Sequence, residues 1–189
     1  MQFLAGVDEV GRGGLAGPVI SSAVILDQDN PILGLRDSKL LSEKKREELF
    51  NVIKSMSLDY TIGSASHIEI DKINILNATM LSMKRAIEKL KHGCVKVYVD
   101  GNQCPEIDKK LQIRMESKIG GDKIYPCISA ASIIAKVTRD RYMREMHLIY
   151  PHYGFNRNKG YPTKEHLDAI LTHGPTPIHR LTFKPELYD

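Results

Sequence analysis

Phe3-Leu4-Ala5-Gly6-Val7-Asp8-Glu9-Val10-Gly11-Arg12-Gly13-Gly14-Leu15-Ala16-Gly17-Pro18-Val19-Ile20-Ser21-Ser22-Ala23-Val24-Ile25-Leu26 decides the fold class of this chain. Phe3 to Asp8 is an apolar run that ends in charge. Pro18 to Leu26 is rich in Val and Ile. Both read as strands, and the short glycine-rich link between them points to an antiparallel connection. Gly11, Gly13 and Ala16 also match the GxGxxA form of a dinucleotide fingerprint. That motif has to open a helix whose N-terminus receives a pyrophosphate. Here it leads into Pro18 and a β-rich run, and Asp8 and Glu9 would repel the ligand. A strand after Ala16 would remove a dinucleotide-dependent enzyme from consideration. Glycines also let a backbone approach a ligand closely, and Arg12 can meet a phosphate.

Outward from this stretch, Ser42 is a candidate N-cap for a helix through about Met56. Leu58 to Ala65 reads as a third strand. Leu76, Met80, Met83, Ile87 and Leu90 recur at helical spacing, and Gly93 is expected to end that helix. Lys84 and Glu88 form an i,i+4 pair on its polar side. Val95 to Val99 is a fourth strand ending at Asp100, and Ile113 to Glu116 a fifth. Ser129 to about Ile149 is a long helix stopped by Pro151. Thr163 caps a last helix through His173, closed by Gly174. With hairpin-like strands early and helices late, the pattern is α/β: a mixed sheet with flanking helices and a helical C-terminal part. No repeat or linker divides residues 1–189, which are read as one domain.

Composition bounds the function. The chain has 189 residues, 42% of them hydrophobic, and a formal net charge of +4. This is ordinary globular usage with length enough for a core. No apolar run approaches the ~18 residues a membrane span needs, and Met1 to Gly6 lacks the features of a signal peptide. Cys94, Cys104 and Cys127 are an odd number without CxxC spacing, which argues against a disulfide framework and a zinc cluster. A cytoplasmic location is expected. Cys127, in an apolar stretch, reads as a small core residue.

Asp8 and Glu9 close the first strand, Asp100 closes another, and Asp122 follows Gly120 and Gly121. Clustered carboxylates raise one another's pKa, and a divalent cation relieves the repulsion. Oxygen-only ligands suit Mg²⁺ or Mn²⁺. Adjacent strand residues face opposite ways, so Asp8 and Glu9 are expected to share a metal only where the strand ends or bulges. The competing reading is scattered surface charge.

Lys39 lies in Asp37-Ser38-Lys39 before a helix. Lys136, Arg139, Arg141 and Arg144 share the long helix, with Lys136 and Asp140 at pairing distance. They read equally as a solvated face or as phosphate contacts beside the acids. Tyr150 to Thr163 interleaves aromatic and basic residues, as nucleic-acid surfaces do, or packs on its own rings. None of the seven histidines forms HExxH, and His166 is the one that calls for inspection.

The order of these motifs is specific. Gly6-Val7-Asp8-Glu9-Val10-Gly11-Arg12-Gly13, Asp37-Ser38-Lys39, Asp100-Gly101-Asn102, Ser129 to Asp140, Tyr153-Gly154-Phe155, Lys159-Gly160-Tyr161, His179-Arg180 and Phe183-Lys184-Pro185 together resemble the type 2 ribonuclease H family, ribonuclease HII, over nearly the whole chain. The resemblance implies a ribonuclease H-like fold with a central mixed five-stranded sheet. It implies a metal-dependent endonuclease acting on RNA–DNA hybrids and on ribonucleotides embedded in duplex DNA. Asp8, Glu9, Asp100 and Asp122 would hold two Mn²⁺ or Mg²⁺ ions. The Gly11-Arg12-Gly13 backbone and Tyr161 would recognise the ribonucleotide, and Lys39, Lys136 and Arg139 would contact phosphates. Two positions depart from the family pattern, Gly120 where Lys is frequent and Asn158 where His is frequent. A monomer is expected, with no clamp-binding tail after Pro185 and so no polymerase-clamp partner. The alternative is a non-catalytic nucleic-acid-binding module on the same fold.

Overall fold

The computed structural model describes residues 3–35 and 38–183. One mixed sheet runs in the order β3-β2-β1-β4-β5. Its strands are β1 (Phe3–Val10), β2 (Val19–Leu26), β3 (Ser57–Ala65), β4 (Cys94–Asp100) and β5 (Arg114–Lys118). The first three form antiparallel pairs, and β4 and β5 join in parallel. The helices are α1 (Glu43–Met56), α2 (His67–Ile87), α3 (Pro126–Ile149), α4 (Phe155–Asn158) and α5 (Lys164–His173). A strand, β2, follows Ala16, which removes the dinucleotide reading.

Alternation along the strands splits the core between two faces. On one face Ala5, Val7, Ala23, Ile25, Val97 and Val99 pack against Met83, Ala86 and Ile87 of α2. On the other, Val24 meets Leu49, Phe50 and Ile53 of α1 and Ala130, Ile133, Ile134 and Val137 of α3. Coverage on both sides is why β2 is a nearly continuous apolar run. The small residues that open α3 let it lie close on β1. A Cβ at Gly6 would stand 2.2 Å from the Cys127 carbonyl carbon, so only glycine leaves room there. Cys127 is a core residue, and burial pushes its thiol up to about 11. A third cluster, Ala16, Met143, Tyr153, Phe155, Ala169 and Ile178, binds the C-terminal part to the link between β1 and β2.

Three helix boundaries differ from the sequence expectation. The apolar repeat from Leu76 belongs to a helical segment that begins at His67 and is interrupted at Asn74, where φ is 65°. Its start is a capping box, with Ser66 accepting from Glu69 N while the Glu69 carboxylate accepts from Ser66 N. This local signal lies upstream of the repeat. The helix also ends at Ile87, so Gly93 is not its terminator. The long helix starts earlier than expected, with Pro126 in its first turn. No helix among the described residues is long and apolar enough to cross a membrane.

Candidate active site

Because β1 and β4 are parallel neighbours, their C-terminal ends lie side by side. Their last paired residues are Val7 and Val99. Asp8 and Glu9 therefore stand beside Asp100, the last residue of β4. The expectation that β1 ends or bulges at the two acids needs correction. Its pairing with β2 runs on unbroken, Asp8 opposite Ser22, Glu9 opposite Ser21 and Val10 opposite Ile20. The acids leave opposite faces of a regular strand, and β1 outruns β4, so both remain within electrostatic reach of Asp100.

Asp8 is buried. Ser132 of α3 hydrogen-bonds its carboxylate, and its Oδ1 accepts the Glu9 N–H at 2.7 Å. Ser132 in turn bonds Ser38 Oγ at 2.8 Å, which brings Ser38 to the site. Arg46 fixes Ser38 and Leu41 through their carbonyls. Asp37 and the Lys39 side chain lie outside the described residues. Asp122 is buried in a single 3-10 turn, Gly121–Lys123. Gly121 N–H donates to Asp100 Oδ1 at 2.7 Å, and Ser129 Oγ donates to the Asp122 carbonyl. The preceding Gly120 has φ 64°, a left-handed backbone that a Lys would enter only with strain.

Burial raises the Asp8 carboxyl well above its ordinary value, and the Glu9 and Asp100 charges push it further. Glu9 is raised chiefly by burial. Arg12, 3.4 Å away, pulls it down, and Asp100 pushes it up. Ser22, across the ladder from Asp8, keeps a buried hydroxyl with no hydrogen-bond partner among the described residues. Buried, mutually repelling carboxylates with an orphaned hydroxyl beside them fit a hard divalent cation. Among the described residues, no three His, Cys, Asp or Glu side chains are already grouped to hold an ion. The acids share a region rather than a closed cage.

The Gly11–Gly17 loop borders the acids. Gly11 has φ 95°, and a Cβ there would lie 2.2 Å from Arg139 Nε. A Cβ on Gly13 would lie 3.9 Å from Tyr161 Cε1, so the structure brings the loop and Tyr161 together. The Arg12 side chain is half exposed.

Arg139 is a correction. It is fully buried, and its guanidinium donates to the carbonyls of Ala16, Pro18 and Lys159 at 2.8–3.0 Å. A cation enclosed this way is a strut under the loop, not a phosphate contact. Lys136 forms the anticipated pair with Asp140 at 2.7 Å. Arg141 and Arg144 pair with Glu47 and Glu43 of α1, so this basic face braces two helices.

The aromatic loop divides. Tyr153 and Phe155 are buried with stacked rings. Asn158 is buried too, donating to Tyr153 O and accepting from Gly160 N, so it serves the loop itself. Tyr161 remains partly exposed. Sequence reasoning missed Ser132 and Arg180 as supports. Arg180 is 2% exposed and donates to the carbonyls of Gly11, Arg12 and Gly17. The small-polar opening of α3 hinted at the first. Nothing local marks the second.

Comparison with known proteins gives a consistent picture. The family model described as Ribonuclease HII matches residues 5–186. A Ribonuclease HII of Burkholderia mallei is 53% identical over 190 residues, covering 100% of this chain and 87% of the relative. The crystal structure of the ribonuclease H2 from Pyrococcus horikoshii superposes with a TM-score of 0.79 at 30% identity, over 97% of this chain and 94% of that one. The ribonuclease HII of Archaeoglobus fulgidus, solved in complex with PCNA, also gives 0.79, at 26% identity over 96% and 95%. The expected absence of a clamp-binding tail concerns residues 184–189, which lie outside the described part. The resemblance seen in the motifs thus extends to sequence, family pattern and fold alike, and the chain belongs to the ribonuclease HII family, endonuclease hydrolases that act on RNA.

Proposed function

We propose that this protein cleaves the RNA strand of RNA–DNA hybrids and cuts duplex DNA on the 5′ side of an embedded ribonucleotide, leaving a 3′-hydroxyl and a 5′-phosphate. One observation carries the reading. Asp8 and Glu9, raised by burial and by the Asp100 charge, lie at the mouth of a glycine loop that also approaches Tyr161. Asp8, Glu9, Asp100 and Asp122 would hold Mg²⁺ or Mn²⁺, which when bound activates a water and stabilises the leaving oxygen.

The chain's own residues do the rest. The Gly11–Gly13 backbone has no side chain except Arg12, so a 2′-hydroxyl can approach it closely. That hydroxyl is what separates RNA from DNA at a single position. Tyr161 offers a ring face to the sugar. Half-exposed Arg12 can meet the scissile-strand phosphate in place of Glu9. Ser132 and Gly121 N–H keep Asp8 and Asp100 oriented. Lys136 would contribute positive charge from α3 while paired with Asp140.

The test is cleavage of a DNA duplex carrying one ribonucleotide, with Mg²⁺, with Mn²⁺ and with chelator, alongside Asp8→Asn. A metal-dependent cut immediately 5′ of the ribonucleotide, lost in Asp8→Asn, is expected. Cleavage of long hybrids only would shift the specificity and remove the role given to Tyr161. Hybrid binding without cleavage under any metal would favour a non-catalytic binding module.

A further inference from the structure

His179 and Arg180 lie in the C-terminal segment with both side chains buried. They face two different parts of the ribonucleotide-recognition pocket. Arg180 reaches the glycine loop. Its Nε donates to Gly17 O at 3.0 Å, one Nη to Arg12 O at 2.8 Å and the other to Gly11 O at 2.6 Å. Its own N–H bonds Leu15 O, and Leu15 N–H bonds Gly160 O beside Tyr161. With its carbonyls held inward by one planar fork, the loop has a single orientation to offer.

His179 reaches Tyr161 through His166. The proton inventory of this chain of bonds has one solution when both rings are neutral. His179 Nδ1 accepts the Thr176 N–H at 2.8 Å, so its proton sits on Nε2. That proton points at His166 Nε2, 3.0 Å away. His166 must accept there and carries its own proton on Nδ1, which donates to Tyr161 O at 2.9 Å. Both rings are buried among Tyr153 and Phe155. Burial lowers His166, and it lowers His179 to about 4 with His166 adding to the effect, so both rings are neutral at pH 7. A second proton on His166 would put hydrogens on both Nε2 atoms and break the link, and one on His179 would fall on Nδ1 and break the bond from Thr176.

We infer that His179 and Arg180 are positioning residues for ribonucleotide discrimination, holding Gly11–Gly13 and, through His166, Tyr161 in one fixed mutual geometry. The inference rests on the proposed reading of that pocket. Neither residue touches the acids or the reacting phosphate. Their loss should therefore reduce selection of the ribonucleotide more than it reduces metal binding.

The experiment is binding, without catalysis, of a DNA duplex with one ribonucleotide against the same all-DNA duplex, in chelator. It compares wild type with Arg180→Lys, His166→Phe and His166→Asn. A misplaced pocket costs on the order of ten- to a hundredfold. The wild-type preference should fall that far in Arg180→Lys, which keeps the charge but not the fork, and in His166→Phe. It should fall less in His166→Asn, whose amide can still donate to Tyr161 O but no longer reaches His179. A purely structural role would instead make preference follow melting temperature across the three variants, and that would overturn the inference. A wild-type preference retained in Arg180→Lys and His166→Phe would overturn it alone. No preference in the wild type would remove the functional reading and this inference together. Independently of substrate, ¹⁵N spectra at pH 7 should show His179 protonated on Nε2 and His166 on Nδ1. Any other tautomer pair overturns the relay.

Discussion

At the ends of β1 and β4 the protein buries carboxylates, and under the neighbouring glycine loop it buries two guanidiniums. The acids hold raised pKa values because burial and like charge oppose their ionisation. The arginines are lowered by burial, Arg180 to about 9 with Arg139 repelling it. Yet the two regions differ in what surrounds the charge. Each guanidinium is met by three backbone carbonyls, fixed dipoles that replace its water. Asp8 has one hydroxyl and one N–H, and the groups around it are mostly negative. A buried cation fully solvated by carbonyls belongs to the architecture. Buried anions with too few donors mark a place where a counter-charge is expected.

Removing one member of each region should therefore give opposite outcomes. Asp8→Asn should cut metal-dependent cleavage by on the order of a thousandfold or more, about 4 kcal/mol of barrier. Its melting temperature should hold or rise, because a repelled charge is replaced by a neutral group of the same shape. Activity within tenfold of wild type would place Asp8 outside the reacting centre. Arg139→Met should do the reverse. It leaves carbonyls unsatisfied, costs about 3–5 kcal/mol and lowers the melting temperature by roughly 6–20 °C. Urea titration and thermal melts read this directly. An unchanged stability with lost substrate binding would return Arg139 to the surface role first expected of it.

The same contrast explains what could be read in the sequence. Phe3 to Asp8 and Val95 to Asp100 were legible because an apolar run that stops at a carboxylate is a one-dimensional signal. So were Ser42, Thr163 and Gly174, where the cap is encoded next to the element. Arg139 was not legible, because its partners are the carbonyls of Ala16, Pro18 and Lys159, and a carbonyl has no letter. A basic residue on a helix reads as a polar face until the loop and the C-terminal segment cover it. Arg180 is hidden for the same reason. Asp8 and Glu9 show the limit on the other side. Their pairing as a site was visible, but the unbroken strand through Val10 was not, since glycines beyond them implied an irregularity that occurs only at Gly11.

Acid should move the two regions in opposite directions. His179 is held near pH 4 instead of its ordinary 6.5, so the folded state favours the neutral ring. That stability is complete above pH 6.5 and is lost as the pH falls towards 4, by about 2 kcal/mol after allowing for the solvent that reaches the pair. Glu165 opposes the shift at His166, and His67 deepens it at His179. Asp8 and Glu9 have folded values above their ordinary ones, so protonation relieves the fold as the pH falls towards those ordinary values. In wild type the two trends partly cancel. Asp8→Asn should steepen the loss between pH 6.5 and 4, and His179→Asn should flatten it, in urea unfolding at stepped pH. Equal slopes in all three proteins would sink this account.

The smallest effect isolates the acids alone. A cation that binds only the folded site adds about 1.4 kcal/mol at ten times its Kd, a rise of roughly 3–6 °C in melting temperature. Mg²⁺ or Mn²⁺ should produce that rise in wild type at pH 7 and none in Asp8→Asn. In Arg180→Lys the starting temperature falls, but the increment should survive, because the guanidinium serves the loop and not the carboxylates. The increment should also shrink as the pH is lowered, before any unfolding, since protons compete for Asp8 and Glu9 at a higher pH than for an ordinary carboxylate. An increment of equal size in Asp8→Asn, or one indifferent to pH, would place the cation elsewhere and dissolve the distinction between a site that waits for charge and a loop that already holds it.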